Sequence, residues 1–168
     1  NLGKLCNQSC KHCHVKAGPL RIEIMTREVM QHCLNAFDRG EFSTVDMTGG
    51  APEMNPDFRW FVGELRKRDT HIINRCNLTI LHEEGYEDLI ELFVSSKIEI
   101  VASLPAVNES QTDSQRGKGV YEKSIESLQM LNQAGYGKPN TGLILSLVTN
   151  PSGAFLPGDQ CALESKWK

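Results

Sequence analysis

The chain has 168 residues, 39% of them hydrophobic and 23% charged, with a net charge of -3 and a pI near 6.0, the balance of one globular domain that can build a core without staples. Its 18 lysines and arginines are scattered and give no basic field to hold a phosphate backbone, so nucleic acid is excluded as an expected partner. No apolar stretch approaches the roughly 20 residues of a membrane span, and Asn1-Leu2-Gly3-Lys4 is unlike a secretory signal, so no membrane partner and a cytoplasmic location are expected. A start at Asn1, with a cysteine triplet only five residues in, suggests a chain that begins inside a longer protein.

In chain order, Thr26 to Arg39 places Val29, Met30, Cys33, Leu34 and Phe37 on one face, predicting a helix with Cys33 in the core. Ser43 to Thr48 is β-branched and is closed by Gly49-Gly50, a strand meeting a tight turn. Asn55-Pro56-Asp57 offers a cap, a proline for the first helical position and an early acid, ahead of Phe58, Phe61, Val62 and Leu65 at helical spacing. A strand from His71 to Arg75 follows, then a helix striped by Tyr86, Leu89, Ile90 and Phe93, then a strand from Ile98 to Leu104. The last clear helix carries Tyr121, Ile125, Leu128 and Leu131 and stops at Gly135, before a strand from Leu143 to Thr149.

This alternation predicts an α/β fold of parallel βα repeats, open or closed into a barrel. Working groups then collect at the C-terminal ends of the strands: Gly49 and Gly50, Cys76 and Asn77, Ser103, and Asn150. Residues 1–150 form the expected core, and residues 151–168 a loop leading into a helix.

Six cysteines would suit three disulfides in a secreted chain, but nothing here indicates secretion, and a cytosolic thiol group is more often metal-binding or catalytic. Cys6-Asn7-Gln8-Ser9-Cys10-Lys11-His12-Cys13 spaces three thiols by three and then two residues. Three thiolates can hold three irons of a cubane and leave the fourth open. A zinc site completed by His12 or His14 is the alternative on spacing alone, as is a set of core thiols.

The triplet, with the His12 ring ahead of its last cysteine, resembles the radical S-adenosylmethionine (SAM) signature. Thr48-Gly49-Gly50-Ala51-Pro52-Glu53 resembles the Gly-Gly-Glu motif of the same superfamily, and the two occur in the expected order on a βα scaffold. The resemblance implies an incomplete six-stranded barrel, a [4Fe–4S] cluster on Cys6, Cys10 and Cys13, and reductive cleavage of SAM to a 5′-deoxyadenosyl radical. It also implies cofactor contacts from His12, Gly49, Gly50, Asn77, Ser103, Arg116 and Asn150, with backbone carbonyls of the Gly-Gly turn meeting the SAM ammonium, Ser103 its ribose and Arg116 its carboxylate. An external electron donor such as flavodoxin or ferredoxin and a small-molecule substrate are the implied partners.

Longer stretches narrow the resemblance. His12-Cys13-His14-Val15-Lys16-Ala17-Gly18-Pro19, Val45 to Pro56, Arg75-Cys76-Asn77-Leu78-Thr79-Ile80-Leu81 and Val101-Ala102-Ser103-Leu104-Pro105 are similar to the arsenosugar biosynthesis radical SAM proteins, which carry a cysteine-rich C-terminal domain. That likeness implies addition of the radical to a methylated trivalent arsenical, with Cys76 near substrate. Two departures stand out: Ala106 where many members have cysteine, and the absence of the cysteine-rich domain from this sequence. Radical modification of a peptide or another small molecule, and a non-catalytic zinc-binding chain, are the alternatives. Of the rest, Glu53 reads as a brace of the Gly-Gly turn, His14 as a group near the cluster, Cys161 as a loop thiol, and His32, His71 and His82 as surface or strand-edge histidines.

Overall fold

A computed structural model describes residues 1–149 and 159–167. Its elements are α1 (Arg27–Arg39), β1 (Thr44–Met47), α2 (Phe58–Arg66), β2 (His71–Cys76), α3 (Leu89–Ser95), β3 (Glu99–Ser103), α4 (Glu109–Arg116), α5 (Val120–Gln133), β4 (Leu145–Val148) and α6 (Gln160–Trp167). The four strands pair in sequence order, all parallel, with Asp46 opposite Ile73, Ile73 opposite Glu99, and Ser103 opposite Val148. This is the α/β architecture expected from the alternating pattern.

Side chains alternate across the sheet with period two. Met47, Ile72, Asn74, Cys76, Ile100 and Ala102 are buried and, apart from Asn74, belong to one apolar cluster with Met30 and Leu34 of α1, Phe58, Phe61, Val62 and Leu65 of α2, and Leu89 and Phe93 of α3. The α2 stripe is as the spacing predicts, and burying each such side chain contributes about 1.5–3 kcal/mol. The intervening positions Asp46, His71, Arg75, Glu99 and Ser103 remain at least partly exposed. They pair among themselves: Arg75 chelates Asp46 at 2.7 and 2.9 Å, and His71 meets Glu99 at 2.9 Å.

Three local expectations change. In α1, Thr26 caps the helix through Val29 N–H, but only Met30 and Leu34 are buried, Val29 is 45% exposed, and Cys33 is exposed too. Cys33 and Val29 sit one side step off the Met30–Leu34 line, at the rim of the stripe, so Cys33 is a surface thiol and not a core residue. The Asn55-Pro56-Asp57 turn precedes α2, which starts at Phe58. Asn55 instead accepts from Asp57 N–H and donates to the carbonyls of Leu2 and Met25, each at 2.9 Å, tying the N-terminal segment down. Finally, α4 was not expected; it is capped by Asn108, whose side chain accepts from Gln111 N–H at 2.9 Å.

Residues 2–5 run beside the turn that follows β1. Leu2 N–H donates to Thr48, Gly50 N–H to Gly3 and Ala51 N–H to Leu5, at 2.8 to 2.9 Å. On its other side the segment bonds Glu23 and Met25. The cysteine loop is thereby launched directly from the C-terminal end of β1.

Candidate functional site

At the C-terminal ends of β1, β2 and β3 lies a cavity of about 210 Å³ lined by Cys6, Cys10, Cys13, His12, Gly49, Gly50, Asn77, Ser103 and Arg116, together with Gln8, His14, Ala17, Thr48 and Arg75. Three thiols and six of the seven expected cofactor residues therefore share one concavity. The seventh, Asn150, lies outside the described residues, and Cys161 lies far along the chain in α6, exposed.

Gly49 and Gly50 are demanded by main chain rather than by open space. Gly49 has φ +143°, and a Cβ at Gly49 or Gly50 would overlap the carbonyl oxygen of Gly3 or Leu5 respectively. Glycine is thus the residue that lets the N-terminal segment pass against the turn while still lining the cavity.

The thiols are held by amides. Cys6 Sγ accepts from Gln8 N–H at 3.4 Å and from Asn77 Nδ2 at 3.5 Å, Cys13 Sγ accepts from Ala17 N–H at 3.3 Å, and the Cys10 thiol donates to Gln8 Oε1 at 3.1 Å. Burial pushes the Cys6 and Cys10 thiols up, and the Arg116 guanidinium pulls Cys10 partly back. Arg116 is 9% exposed; burial lowers its pKa while Cys10, Cys6, Cys76 and Cys13 oppose that shift, and its Nε has no hydrogen-bond partner. A buried cation with an orphaned donor at the cavity wall is a socket for an anionic group. Burial, then Arg116, holds His12 below the ordinary imidazole value, favouring a neutral ring.

Behind the sheet, Glu53 is 1% exposed, accepts from Asn74 Nδ2 at 2.6 Å and leaves Oε2 unpaired; burial raises its pKa. Cys76 is fully buried, with its pKa pushed well up by burial and then by Glu53. Arg75 and Asn77 face the cavity, so the intervening Cys76 thiol points to the opposite face. The expectation of Cys76 near substrate is corrected accordingly. Glu53, expected to brace the Gly-Gly turn, instead grips β2 through Asn74.

Sequence reasoning missed the polar frame of the loop, Asn7, Gln8 and Thr79. Asn7 Nδ2 donates to Thr79 Oγ1 at 2.9 Å and Gln8 Nε2 to the same oxygen at 2.6 Å. Leu78, beside Thr79, occupies φ +70°, ψ -47°, a sparsely populated region for a side-chain-bearing residue. It is fully buried, which offsets the strain.

The donor set fits an iron–sulfur cluster better than a single zinc. The three thiols of one loop line the cavity together, and a cubane spreads three such thiolates over three irons. The orphaned Arg116 Nε beside those thiols fits an anionic ligand on the remaining iron.

The sequence profile of the Radical SAM superfamily matches residues 1–149, and the chain belongs to that family, whose cofactors are a [4Fe–4S] cluster and SAM. A mycofactocin maturase, MftC, of Mycolicibacterium smegmatis is 21% identical over 141 residues, covering 84% of this chain and 35% of the relative. The chain thus spans about a third of that relative's length. Among solved structures, anSMEcpe with bound AdoMet superposes with a TM-score of 0.69 at 14% identity, covering 88% of this chain and 41% of the other. Streptococcus suis SuiB bound to precursor peptide SuiA gives 0.65 at 18% identity, covering 80% and 29%. These likenesses establish the fold. No helix among the described residues is long and apolar enough to cross a membrane.

Proposed function

We propose that this cavity binds and reductively cleaves SAM, on the observation that three thiols, a glycine turn and a buried Arg116 whose Nε has no hydrogen-bond partner meet at the C-terminal ends of three parallel strands. Cys6, Cys10 and Cys13 would each hold one iron of a [4Fe–4S] cluster, which, supplied with an electron, would provide the one-electron reduction that splits the carbon–sulfur bond of SAM into methionine and a 5′-deoxyadenosyl radical. Arg116 presents its free N–H to the carboxylate of the methionine end, as the charge it would otherwise bury uncompensated requires. Asn77 and Ser103, at adjacent strand ends, face the nucleoside. His12 lines the same cavity. The cavity is smaller than the roughly 300–1,000 Å³ of enclosed small-molecule sites, so a nucleoside extends from it along the open face of the sheet, past Arg75. An electron donor of the flavodoxin or ferredoxin type is the partner this chemistry needs.

For the acceptor, the motif resemblance points to a methylated trivalent arsenical, whose lone pair accepts a carbon radical. The acceptor must then sit at the same end of the strands, near Ser103, without help from the Cys76 thiol. Peptide modification is the second reading, favoured by a maturase among the relatives and by the SuiA-bound neighbour.

The test is anaerobic reconstitution with iron and sulfide, reduction, and assay of SAM turnover. Release of 5′-deoxyadenosine and methionine is expected, and zinc retention without a visible-edge absorption band would overturn the reading. Mass spectrometry with a trivalent dimethylated arsenical then decides the acceptor: an arsenic-bearing 5′-deoxyadenosine supports the first reading, and free 5′-deoxyadenosine alone removes it.

A further inference from the structure

The side chains that frame the cysteine loop close into a ring. Asn7 Nδ2 donates to Thr79 Oγ1 at 2.9 Å, the Thr79 hydroxyl donates to Asn77 Oδ1 at 3.4 Å, and Asn77 Nδ2 donates back to Asn7 Oδ1 at 2.6 Å. Each member donates to the next, so the three polarise one another in the same sense. Gln8 Nε2 fills the second lone pair of Thr79 at 2.6 Å, Ile80 N–H fills Asn77 Oδ1 at 3.1 Å, and Glu83 accepts the other Asn7 amide hydrogen at 3.2 Å. Gln8, Asn77 and Thr79 are buried, at 7%, 8% and 3% exposure. The Thr79 hydroxyl has its one donor and both acceptor positions in use, and the amides have little freedom to turn.

The ring has one outlet toward sulfur. The Asn77 amide that donates to Asn7 also reaches Cys6 Sγ at 3.5 Å. Asn77 cannot rotate away without breaking its bonds to Asn7, Thr79 and Ile80, so its N–H stays aimed at that sulfur. Hydrogen bonds to cluster sulfurs favour the more negative, reduced state and raise the reduction potential, and partners of this kind also govern how firmly metal is held.

We infer that Thr79 and Asn7 are positioning residues that lock the Asn77 amide onto Cys6 Sγ, and that this ring sets both the retention and the reduction potential of the cluster. The inference rests on the cluster assignment made above. Thr79 and Asn7 do not themselves line the cavity.

Thr79→Val keeps the shape of the side chain and removes the hub hydroxyl; Asn7→Ala opens the ring from the half-buried loop side and leaves the β2 end intact. Thr79→Ser restores the hydroxyl. The proteins, anaerobically reconstituted, are compared for iron and sulfide content, for the rate of iron loss to a chelator, and for midpoint potential by titration of the reduced cluster's electron paramagnetic resonance signal. Both ring-breaking variants are expected to assemble a cluster, lose it about tenfold faster, and titrate at a more negative potential than wild type, while Thr79→Ser returns both properties to the parent values. A purely structural role would lower the melting temperature without moving the potential, and that result overturns the inference. Wild-type chelation rates and potentials in folded Thr79→Val or Asn7→Ala overturn it equally. If Thr79→Val does not fold, Asn7→Ala decides alone. Failure of the underlying assignment is distinguishable, because the wild-type protein would then assemble no iron–sulfide cluster.

Discussion

The two faces of the sheet come from the same four strands and do opposite work. On one, Ile72, Cys76, Ile100 and Ala102 pack against α1, α2 and α3 with exposures of 0–1%. On the other, Asp46, His71, Arg75, Glu99 and Ser103 remain partly open and pair with each other or line the cavity. A single-residue step at the end of β2 separates a fully buried thiol, Cys76, from an amide directed at the cysteine loop, Asn77. Chemistry here is therefore assigned by the parity of position, not by residue type, and a reactive residue on the dry side serves packing.

The sharpest way to break this contrast is to exchange thiols. Cys10→Ala should abolish release of 5′-deoxyadenosine, since one of three protein ligands is lost, whereas Cys33→Ala, on the exposed rim of α1, should retain it and change stability by no more than about 0.5 kcal/mol. Cleavage at the wild-type rate by Cys10→Ala would end the assignment.

Two glycines sharpen it next. Gly50→Ala drives a Cβ into the Leu5 carbonyl and should cost on the order of 2–3 kcal/mol, the scale of overpacking, besides displacing the cysteine loop. Gly63→Ala, in α2 with nothing within 4 Å of the added carbon, should instead stabilise by about 0.5–1 kcal/mol. Chemical denaturation midpoints read both.

Glu53 is the polar exception on the dry side. Its folded pKa is raised by burial, so above the ordinary carboxyl value the unfolded chain binds fewer protons than the native one. Stability should then be greatest at acid pH and fall as pH rises above the ordinary glutamate value, by up to about 1.4 kcal/mol per pH unit until the native carboxyl also ionises. Glu53→Gln, which can still accept from Asn74, should remove that slope; denaturation at several pH values is the measurement, and an unchanged slope would place the titration elsewhere. The smallest effect belongs to the open face. Asp46→Asn breaks the exposed Arg75 pair and should cost no more than about 1 kcal/mol, a loss that shrinks with added salt.

Much of this was legible in the sequence. Phe58, Phe61, Val62 and Leu65 announce α2 by spacing alone, and the cysteine triplet and Gly49-Gly50 are local patterns whose meaning survives folding. What escaped detection has a common physical cause. The segment Glu109–Arg116 has no apolar stripe and buries Thr112, Gln115 and Arg116 instead, so hydrophobic periodicity has nothing to register. Thr79 and Asn7 meet across about seventy residues through amide and hydroxyl groups, a relation that no spacing rule encodes. Leu78 occupies the position after Asn77 with a positive φ, and only the backbone reveals that this chain accepts it with the side chain buried.

The anchoring of the cysteine loop also bears on how the protein reaches its native state. Its fastenings span long stretches of chain: 71 residues from Gln8 to Thr79, 76 from Asn7 to Glu83, and Lys11 N–H to the Gln115 carbonyl on α4. Contacts of such sequence separation carry the entropy of closing large loops before they return any energy, while the βα units beneath them rest on nearer neighbours. The loop is thus expected to settle after the βα units beneath it.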